Sequence, residues 1–160
     1  MNEYGLALKQ LIERSAAVEE FDGAIEVSAS KRVAVFLPSK VLSEDDPFEP
    51  SWSVTSDSIA AYIAHKLKSK KLILATDVDG IFSKNPRTDP HAQLLTTVSL
   101  EQLLELDVRT SVDKFLPKFL VKNGMECYVV NGKYPERLGR ILSGEQTICT
   151  RICPKRAHPQ

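Results

Sequence analysis

Apolar residues recur along this chain with two spacings, one typical of helices and one typical of buried strands. They return every three or four residues over 3–14 and over Ser56–Leu67, which predicts two amphipathic helices. Two short runs of aliphatic and β-branched residues, Arg32–Leu37 and Lys71–Ala75, predict buried strands. In the first half of the chain, helix and strand are therefore expected to alternate.

The same alternation is expected in the second half of the chain. Helices are predicted from Ser99 to Leu106, over Pro117–Lys122 and over Pro135–Leu142, and a glycine follows each of the last two. Strands are predicted over Cys127–Val130 and Thr147–Ile152. Strands separated by helices indicate an α/β fold with a parallel or mixed sheet and helices on both faces.

Two segments rich in proline and acidic residues, 38–52 and 77–93, predict loops. No linker, repeat or low-complexity tract divides the sequence. A single domain is therefore predicted over 1–153, and residues 154–160 are expected to form a flexible tail.

Composition and charge argue against several classes of function. Lys+Arg and Asp+Glu both number 21, so the net charge is zero, which argues against binding nucleic acid or an anionic membrane through bulk charge. The chain has no run of eighteen apolar residues and no secretory leader, so a cytoplasmic protein is expected. Cys127, Cys149 and Cys153 lack a CxxC spacing, which favours reduced thiols over a zinc site or a disulfide.

Two acidic features carry candidate chemistry. Asp57 lies in the first turn of a predicted helix, where it either complements the helix dipole or belongs to a site. The segment Thr76-Asp77-Val78-Asp79-Gly80 follows a predicted strand. It forms either a tight turn, with the acids bonded to backbone N–H groups and Gly80 at positive φ, or part of a binding site. Two alternate carboxylates bind Mg²⁺ rarely without a bound phosphate.

A lysine at a helix start is the third candidate. Lys118 follows Pro117, where the positive end of a helix dipole disfavours a cation. A lysine and several N–H groups meeting at one point suit a phosphate, although an ordinary solvated lysine fits the same position.

Taken in order, these segments resemble the amino acid kinase family. VTSDSIAAYIAHKL resembles the segment that holds the acceptor, LILATDVDGIFSKNP the nucleotide loop, and VDKFLPKFLVKNGMECYVVNGKYPERL the phosphate-lysine helix with its following strand. Within the family, the segments DPFEPSWSVTSDSIAAYIA, VDKFLPKFL and YVVNGKYPERL most resemble the branch that phosphorylates aminomethylfuran methyl phosphate. The resemblance implies a three-layer α/β/α sandwich with an open, mainly parallel sheet, Mg²⁺ and ATP as cofactors, a small-molecule phosphate acceptor, and a homodimer or a partner chain.

The resemblance also implies roles for single residues. Asp57 would orient the active-site lysines, and Lys118 would contact the transferred phosphoryl group. The residues implied to border ATP are Thr76, Asp77, Asp79, Gly80, Phe82 and Asn85. The residues implied to line the acceptor pocket are Ser53, Val54 and Thr55.

One part of the family pattern has no counterpart here. Family members begin with a strand and Lys-x-Gly-Gly-Ser, whereas this sequence contains no Gly-Gly pair. We therefore expect an N-terminally truncated form of the fold that transfers phosphate poorly by itself, because phosphate-binding N–H donors and a lysine are worth several kcal/mol of barrier. The alternatives are one half of a split kinase and a non-catalytic nucleotide- or metabolite-binding subunit. Lys114 and Lys40 are candidates for a replacement lysine.

Overall fold

The computed structural model describes residues 1–49, 54–105 and 112–153. The chain forms two compact units, Met1–Ser51 and Trp52–Gln160. The single domain over 1–153 stays a prediction, and so does the flexible tail, which lies outside the described residues. Among the residues that are described, no helix is both long and apolar enough to span a bilayer.

The first unit combines helices with a two-stranded parallel sheet. Its elements in chain order are α1 (Asn2–Leu11), β1 (Ser15–Val18), α2 (Phe21–Ala29), β2 (Val33–Phe36) and α3 (Ser39–Asp45). Helix α2 connects the two parallel strands, and the rings of Phe21 and Phe36 stack with centroids 5.3 Å apart. The unit is thus a strand–helix–strand motif flanked by two further helices.

The predicted helix 3–14 and strand Arg32–Leu37 are confirmed as α1 and β2. The predicted loop over 38–52 is wrong in its first half, where α3 forms. Pro38 lies at the N-cap of α3, and a proline at a helix start costs no hydrogen bond because the first N–H groups are unpaired anyway. Residues 50–52, which end the predicted loop, lie outside the described residues.

The second unit contains a four-stranded sheet in the order β3-β5-β6-β4. Its elements are α4 (Ser56–Lys66), β3 (Leu72–Thr76), β4 (Thr97–Ser99), α5 (Leu100–Glu105), α6 (Leu116–Asn123), β5 (Cys127–Asn131), α7 (Pro135–Ser143) and β6 (Thr150–Cys153). β3 pairs with β5 and β4 pairs with β6 in parallel, whereas β5 and β6 are antiparallel. The sheet is therefore mixed.

The core of this unit lies where α4 and α6 pack on the sheet. Ala61 of α4, Leu116 and Leu120 of α6, and Val129 of β5 are all completely buried. Helices α6 and α7 end at glycines in the left-handed region, as their sequences predict. The N-terminus of α5 is closed by a capping box between Ser99 and Gln102.

The connections of the second unit bring several chain segments to one edge of the sheet. Helix α4 leads into β3, and α6 leads into β5, each through a connection of only three to five residues (67–71 and 124–126). Each helix must therefore run antiparallel to the strand that follows it. The eleven residues of α4 span about 16 Å, the eight residues of α6 about 12 Å, and each five-residue strand about 16 Å. The N-termini of α4 and α6 therefore lie near the edge where β3 and β5 end.

Candidate functional site

The edge of the sheet beyond Thr76 and Asn131 gathers most of the residues that the sequence singles out. Thr76 and Asn131 end the neighbouring parallel strands β3 and β5 and are partners in the register. The loop that starts at Asp77 therefore leaves the sheet beside Asn131. Ligands of open α/β sheets characteristically bind outside the carboxyl ends of the strands. The first turns of α4 and α6, which carry Asp57 and Lys118, lie at this same edge.

One carboxylate, that of Asp113, joins the starts of the two helices. At the start of α4, it accepts hydrogen bonds from the backbone N–H and hydroxyl of Thr55, both at 2.9 Å, and from those of Ser58, at 3.0 and 2.6 Å. At the start of α6, it accepts bonds from the N–H groups of Phe115 and Leu116, at 3.1 and 2.8 Å. A single side chain thus caps two helices.

Asp57 is connected to the same group. Its Oδ2 accepts a hydrogen bond of 3.1 Å from the backbone N–H of Asp113. Burial raises the pKa of Asp57, and the negative charge of Asp113 raises it further, against the lowering effect of hydrogen bonds from Asp113 and Ser56. For Asp113, burial also raises the pKa, but hydrogen bonds from Ser58, Leu116 and Thr55 outweigh it and the pKa is lowered. Two neighbouring acids thus have pKa values shifted in opposite directions, an arrangement typical of functional sites.

Lys118 is exposed in the first turn of α6, and no described residue forms an ion pair with it. The ammonium group is thus available to an anion from solution. Of the residues implied to line the acceptor pocket, Thr55 is the N-cap of α4 and Val54 precedes it half-buried. Ser53 lies outside the described residues. The structure thus brings Thr55, Asp57 and Lys118 to neighbouring helix starts.

The first acid of the loop after β3 is paired with an arginine. The Thr76 hydroxyl donates to the carbonyl of Val78 at 2.9 Å and turns the chain. Asp77 is exposed and forms an ion pair with Arg87. Asn85 accepts a hydrogen bond of 3.0 Å from the backbone N–H of Arg87, which stabilises the turn that follows the loop. Asn85 and Asp77 are therefore connected through Arg87.

The second acid of the loop, Asp79, links β5 and α7 to it. Its carboxylate accepts bonds from Arg137 at 2.6 Å and from Asn131 at 3.1 Å. The hydrogen bond from Arg137 lowers the pKa of Asp79, with a smaller contribution from Asn131. The guanidinium of Arg137 also lies 4.0 Å from the centroid of the Tyr134 ring. Within the part of the chain that the structure describes, the acids of the loop therefore bond to side chains, and not to backbone N–H groups as a simple tight turn would require.

Gly80 and Thr150 hold the middle of the loop. Gly80 has φ +153°, and a Cβ atom on it would lie 2.4 Å from the Thr150 hydroxyl. That hydroxyl accepts a bond of 2.7 Å from the N–H of Ile81 and donates one of 2.6 Å to the carbonyl of Leu95. Glycine is thus required by both conformation and space. Beyond it, Phe82 is half-buried and forms a β-bridge with Leu94.

The chemistry of this loop fits a nucleotide better than a resident metal ion. Carboxylates accept hydrogen bonds from ribose hydroxyls, and an aromatic ring such as that of Phe82 stacks on a purine. Among the described residues, no group of three or more His, Cys, Asp or Glu side chains could hold a metal ion. A Mg²⁺ ion at this edge would therefore need ligand oxygens from a bound phosphate. The three cysteines are free thiols.

A cleft of about 480 Å³ shares Arg137 with the candidate site, since the guanidinium of that residue bonds to Asp79. It is bordered by residues of α7 and of the segment before β6: Glu136, Arg137, Arg140, Gln146, Thr147 and Ile148. Among the described residues, none of those that the sequence predicts for the site lines this cleft.

Two residues of the candidate site, Asp113 and Arg137, are not among those that the sequence predicts. Asp113 stands two residues before the N-cap of α6, and an acid just before a helix is a recognised capping signal. The sequence predicts the start of that helix at Pro117, so Asp113 lies four residues before the predicted start and is not identified as a cap. Arg137 lies in the first turn of α7, and no local pattern indicates that its partner is Asp79, 58 residues away.

Comparisons with known proteins identify relatives of this chain. A family model described as the amino acid kinase family matches residues 1–131. The chain is 42% identical over 132 residues to (5-(aminomethyl)furan-3-yl)methyl phosphate kinase of Methanocaldococcus jannaschii, covering 82% of this chain and 57% of that protein. It is 32% identical over 111 residues to isopentenyl phosphate kinase of Methanothermobacter thermautotrophicus, covering 64% of this chain and 42% of that protein. The chain thus spans about half the length of these curated relatives.

Solved structures show the same fold. The crystal structure of uridylate kinase from Archaeoglobus fulgidus superposes with a TM-score of 0.72 at 26% identity, covering 95% of this chain and 67% of that one. UMP kinase from Ureaplasma parvum, at 17% identity, has a TM-score of 0.70 and shares the fold. Since the family model matches most of the chain, this α/β protein belongs to the amino acid kinase family.

Proposed function

We propose that this chain is part of an ATP-dependent phosphotransferase that phosphorylates a small phosphate monoester such as aminomethylfuran methyl phosphate. The observation that carries the proposal is the Asp113 carboxylate, which joins the starts of α4 and α6 at the edge of the sheet where the Thr76–Phe82 loop begins. Asp57, Lys118 and that loop are thereby held on one side of the unit. The relatives named above are kinases of phosphorylated small molecules.

Lys118 is proposed to contact the transferred phosphoryl group. Its side chain is exposed beside the N–H groups of a helix start, so that an anion there would meet one full positive charge and the positive end of a helix dipole. Charge that develops on phosphoryl oxygens during transfer would be stabilised by this lysine.

Asp57 is proposed to orient the lysines of the site and not to attack. Burial and the nearby Asp113 charge make its ionised form costly, so a cation beside it would be held strongly. Val54 and Thr55, just before Asp57 in the chain, are proposed to line the acceptor pocket together with Ser53.

The loop after β3 is proposed to bind the nucleoside part of ATP. Thr76, Asp77 and Asp79 supply oxygen atoms for ribose or base, and Phe82 supplies an aromatic ring. Gly80 lets the backbone turn, and Asn85 stabilises the segment that follows. Mg²⁺, bound with the phosphates, would neutralise their charge during transfer. We propose a cytoplasmic protein that acts as a homodimer or with a partner chain.

A phosphoryl-transfer assay tests the proposal. The 160-residue protein would be incubated with Mg²⁺ and γ-labelled ATP, and with aminomethylfuran methyl phosphate, UMP or aspartate as acceptor. We expect slow transfer of label to the furan phosphate, which becomes the diphosphate, no transfer to aspartate, and a strong further loss in Lys118→Ala. Lys122→Ala, an exposed lysine in the last turn of the same helix, is the matched control and should transfer like the parent.

The outcomes separate the alternatives. Transfer to UMP in preference to the furan phosphate would show that the acceptor is misassigned. Binding of Mg-ADP without transfer to any acceptor would favour a split kinase or a non-catalytic nucleotide-binding subunit. Equal transfer by the parent and Lys118→Ala would remove Lys118 from the site.

A further inference from the structure

The two oxygens of Asp113 divide their bonds between two helices. Oδ2 faces the start of α4 and accepts from Thr55 N, Thr55 Oγ1 and Ser58 N. Oδ1 faces the start of α6 and accepts from Phe115 N and Leu116 N, together with the Ser58 hydroxyl. The backbone N–H groups of each helix start therefore depend on one oxygen, and the Ser58 hydroxyl of α4 adds a bond to the oxygen that faces α6. The carboxylate as a whole is the link between the two helices.

We infer that Asp113 is a positioning residue, which fixes the first turn of α4 relative to the first turn of α6 and so sets the placement of Asp57 against Lys118. The inference rests on the proposed function, because it concerns the same site. The backbone N–H of Asp113 extends the link, since it donates to Asp57 at 3.1 Å. A residue that merely capped one helix would need only one of these two sets of bonds.

The chemistry of the side chain makes this link specific to a carboxylate. Backbone N–H groups can only donate, so both oxygens of Asp113 must accept. An asparagine has one oxygen and one NH₂ group, and the NH₂ group would face donors at one of the two helix starts. Asp113→Asn should therefore keep one helix capped and separate it from the other, whereas Asp113→Ala should leave both helix starts without their acceptor.

Residual dipolar couplings of backbone N–H vectors measure the orientation of α4 relative to α6 directly in the 160-residue protein. In the parent, the couplings of α4 and α6 should fit one alignment tensor with the orientation seen in the structure. In Asp113→Asn, each helix should still fit by itself, but the two should no longer share that orientation. Ser99→Ala, which removes the cap of α5, is the matched control and should leave the relation of α4 to α6 unchanged.

Kinetics give the second readout. Asp113→Asn should lower kcat by about 10²-fold, the cost typical of a displaced catalytic group, with the KM for ATP nearly unchanged. Ser99→Ala should keep the parent kcat at a temperature well below its melting point. A role confined to helix stability would lower the melting temperature of Asp113→Asn and leave kcat unchanged.

The positioning role of Asp113 and the proposed function can each be contradicted by a separate result. Couplings in Asp113→Asn that fit the parent orientation of α4 and α6 would overturn the inference, and so would an unchanged kcat. If the parent transfers no phosphate to any acceptor, the proposed function fails, and the dipolar couplings alone decide whether Asp113 positions the two helices.

Discussion

Replacing Thr150 by valine tests how the loop after β3 is held in place. The Thr150 side chain is completely buried, and its hydroxyl accepts from the N–H of Ile81 and donates to the carbonyl of Leu95. Valine has nearly the same shape, so no cavity forms. The substitution instead removes the bonding partner of the buried N–H of Ile81 and of the partly buried carbonyl of Leu95.

The expected cost follows from those two groups. Each buried polar group without a partner costs about 1–3 kcal/mol, so Thr150→Val should lower the free energy of unfolding by about 3 kcal/mol. The loop that carries Asp79 and Gly80 loses its bonds to Thr150 at the same time. We therefore also expect Thr150→Val to bind Mg-ADP more weakly than the parent, by about tenfold for each 1.4 kcal/mol of binding energy lost.

Urea denaturation followed by circular dichroism measures the first effect, and calorimetric titration measures the second. Thr97→Val is the matched control, because Thr97 is an exposed threonine of β4 and its substitution should change stability by less than about 0.5 kcal/mol. A Thr150→Val variant as stable as Thr97→Val would refute the reasoning, since it would show that water or other groups replace the buried bonds.

Three further substitutions test the acids and the glycine of the site. The pKa of Asp57 is raised, so ionisation of this side chain destabilises the folded protein as the pH rises through that pKa. Asp57→Asn should therefore have a higher melting temperature than the parent at pH 7 and the same melting temperature below about pH 4. It should nevertheless transfer less phosphate. The lowered pKa of Asp79 has the opposite sign, so Asp79→Asn should melt slightly lower at pH 7, with the difference in melting temperature vanishing as the pH falls below about 4. Gly80→Ala should lower both stability and Mg-ADP affinity, whereas Gly139→Ala, whose Cβ meets no atom within 4 Å in α7, should stabilise by up to about 1 kcal/mol. Differential scanning calorimetry and titration calorimetry check all three, and an Asp57→Asn variant that melts lower than the parent at pH 7 would contradict the first.

The sequence predicts the elements whose signals are local. Strands β3 and β5 come from apolar runs, and the ends of α6 and α7 come from Gly124 and Gly144, which adopt positive φ. Strand β1 (Ser15–Val18) and strand β4 (Thr97–Ser99) contain only one valine each among small or polar residues, so no apolar run marks them and neither is predicted. Their formation depends on partners distant in the chain. Helix α3 is missed because Pro38 is taken as the end of a strand and not as the start of a helix.

The candidate site is predictable in part for the same reason. Asp57, Lys118 and the loop from Thr76 are visible because each follows a helix or strand boundary that the sequence marks. The bonds that connect them join residues more than fifty positions apart, as in Asp113 with Ser58 and Asp79 with Arg137. Such pairs depend on the order of the strands in the sheet, which no single-sequence periodicity specifies.

Titration calorimetry of the 160-residue protein with Mg-ADP tests the central claim most directly, because it requires no knowledge of the acceptor. We expect binding that is measurably weaker in Gly80→Ala than in the parent, and a rise in the melting temperature with ligand concentration as mass action requires. The absence of both binding heat and thermal shift at millimolar Mg-ADP would contradict the assignment of the Thr76–Phe82 loop to a nucleotide.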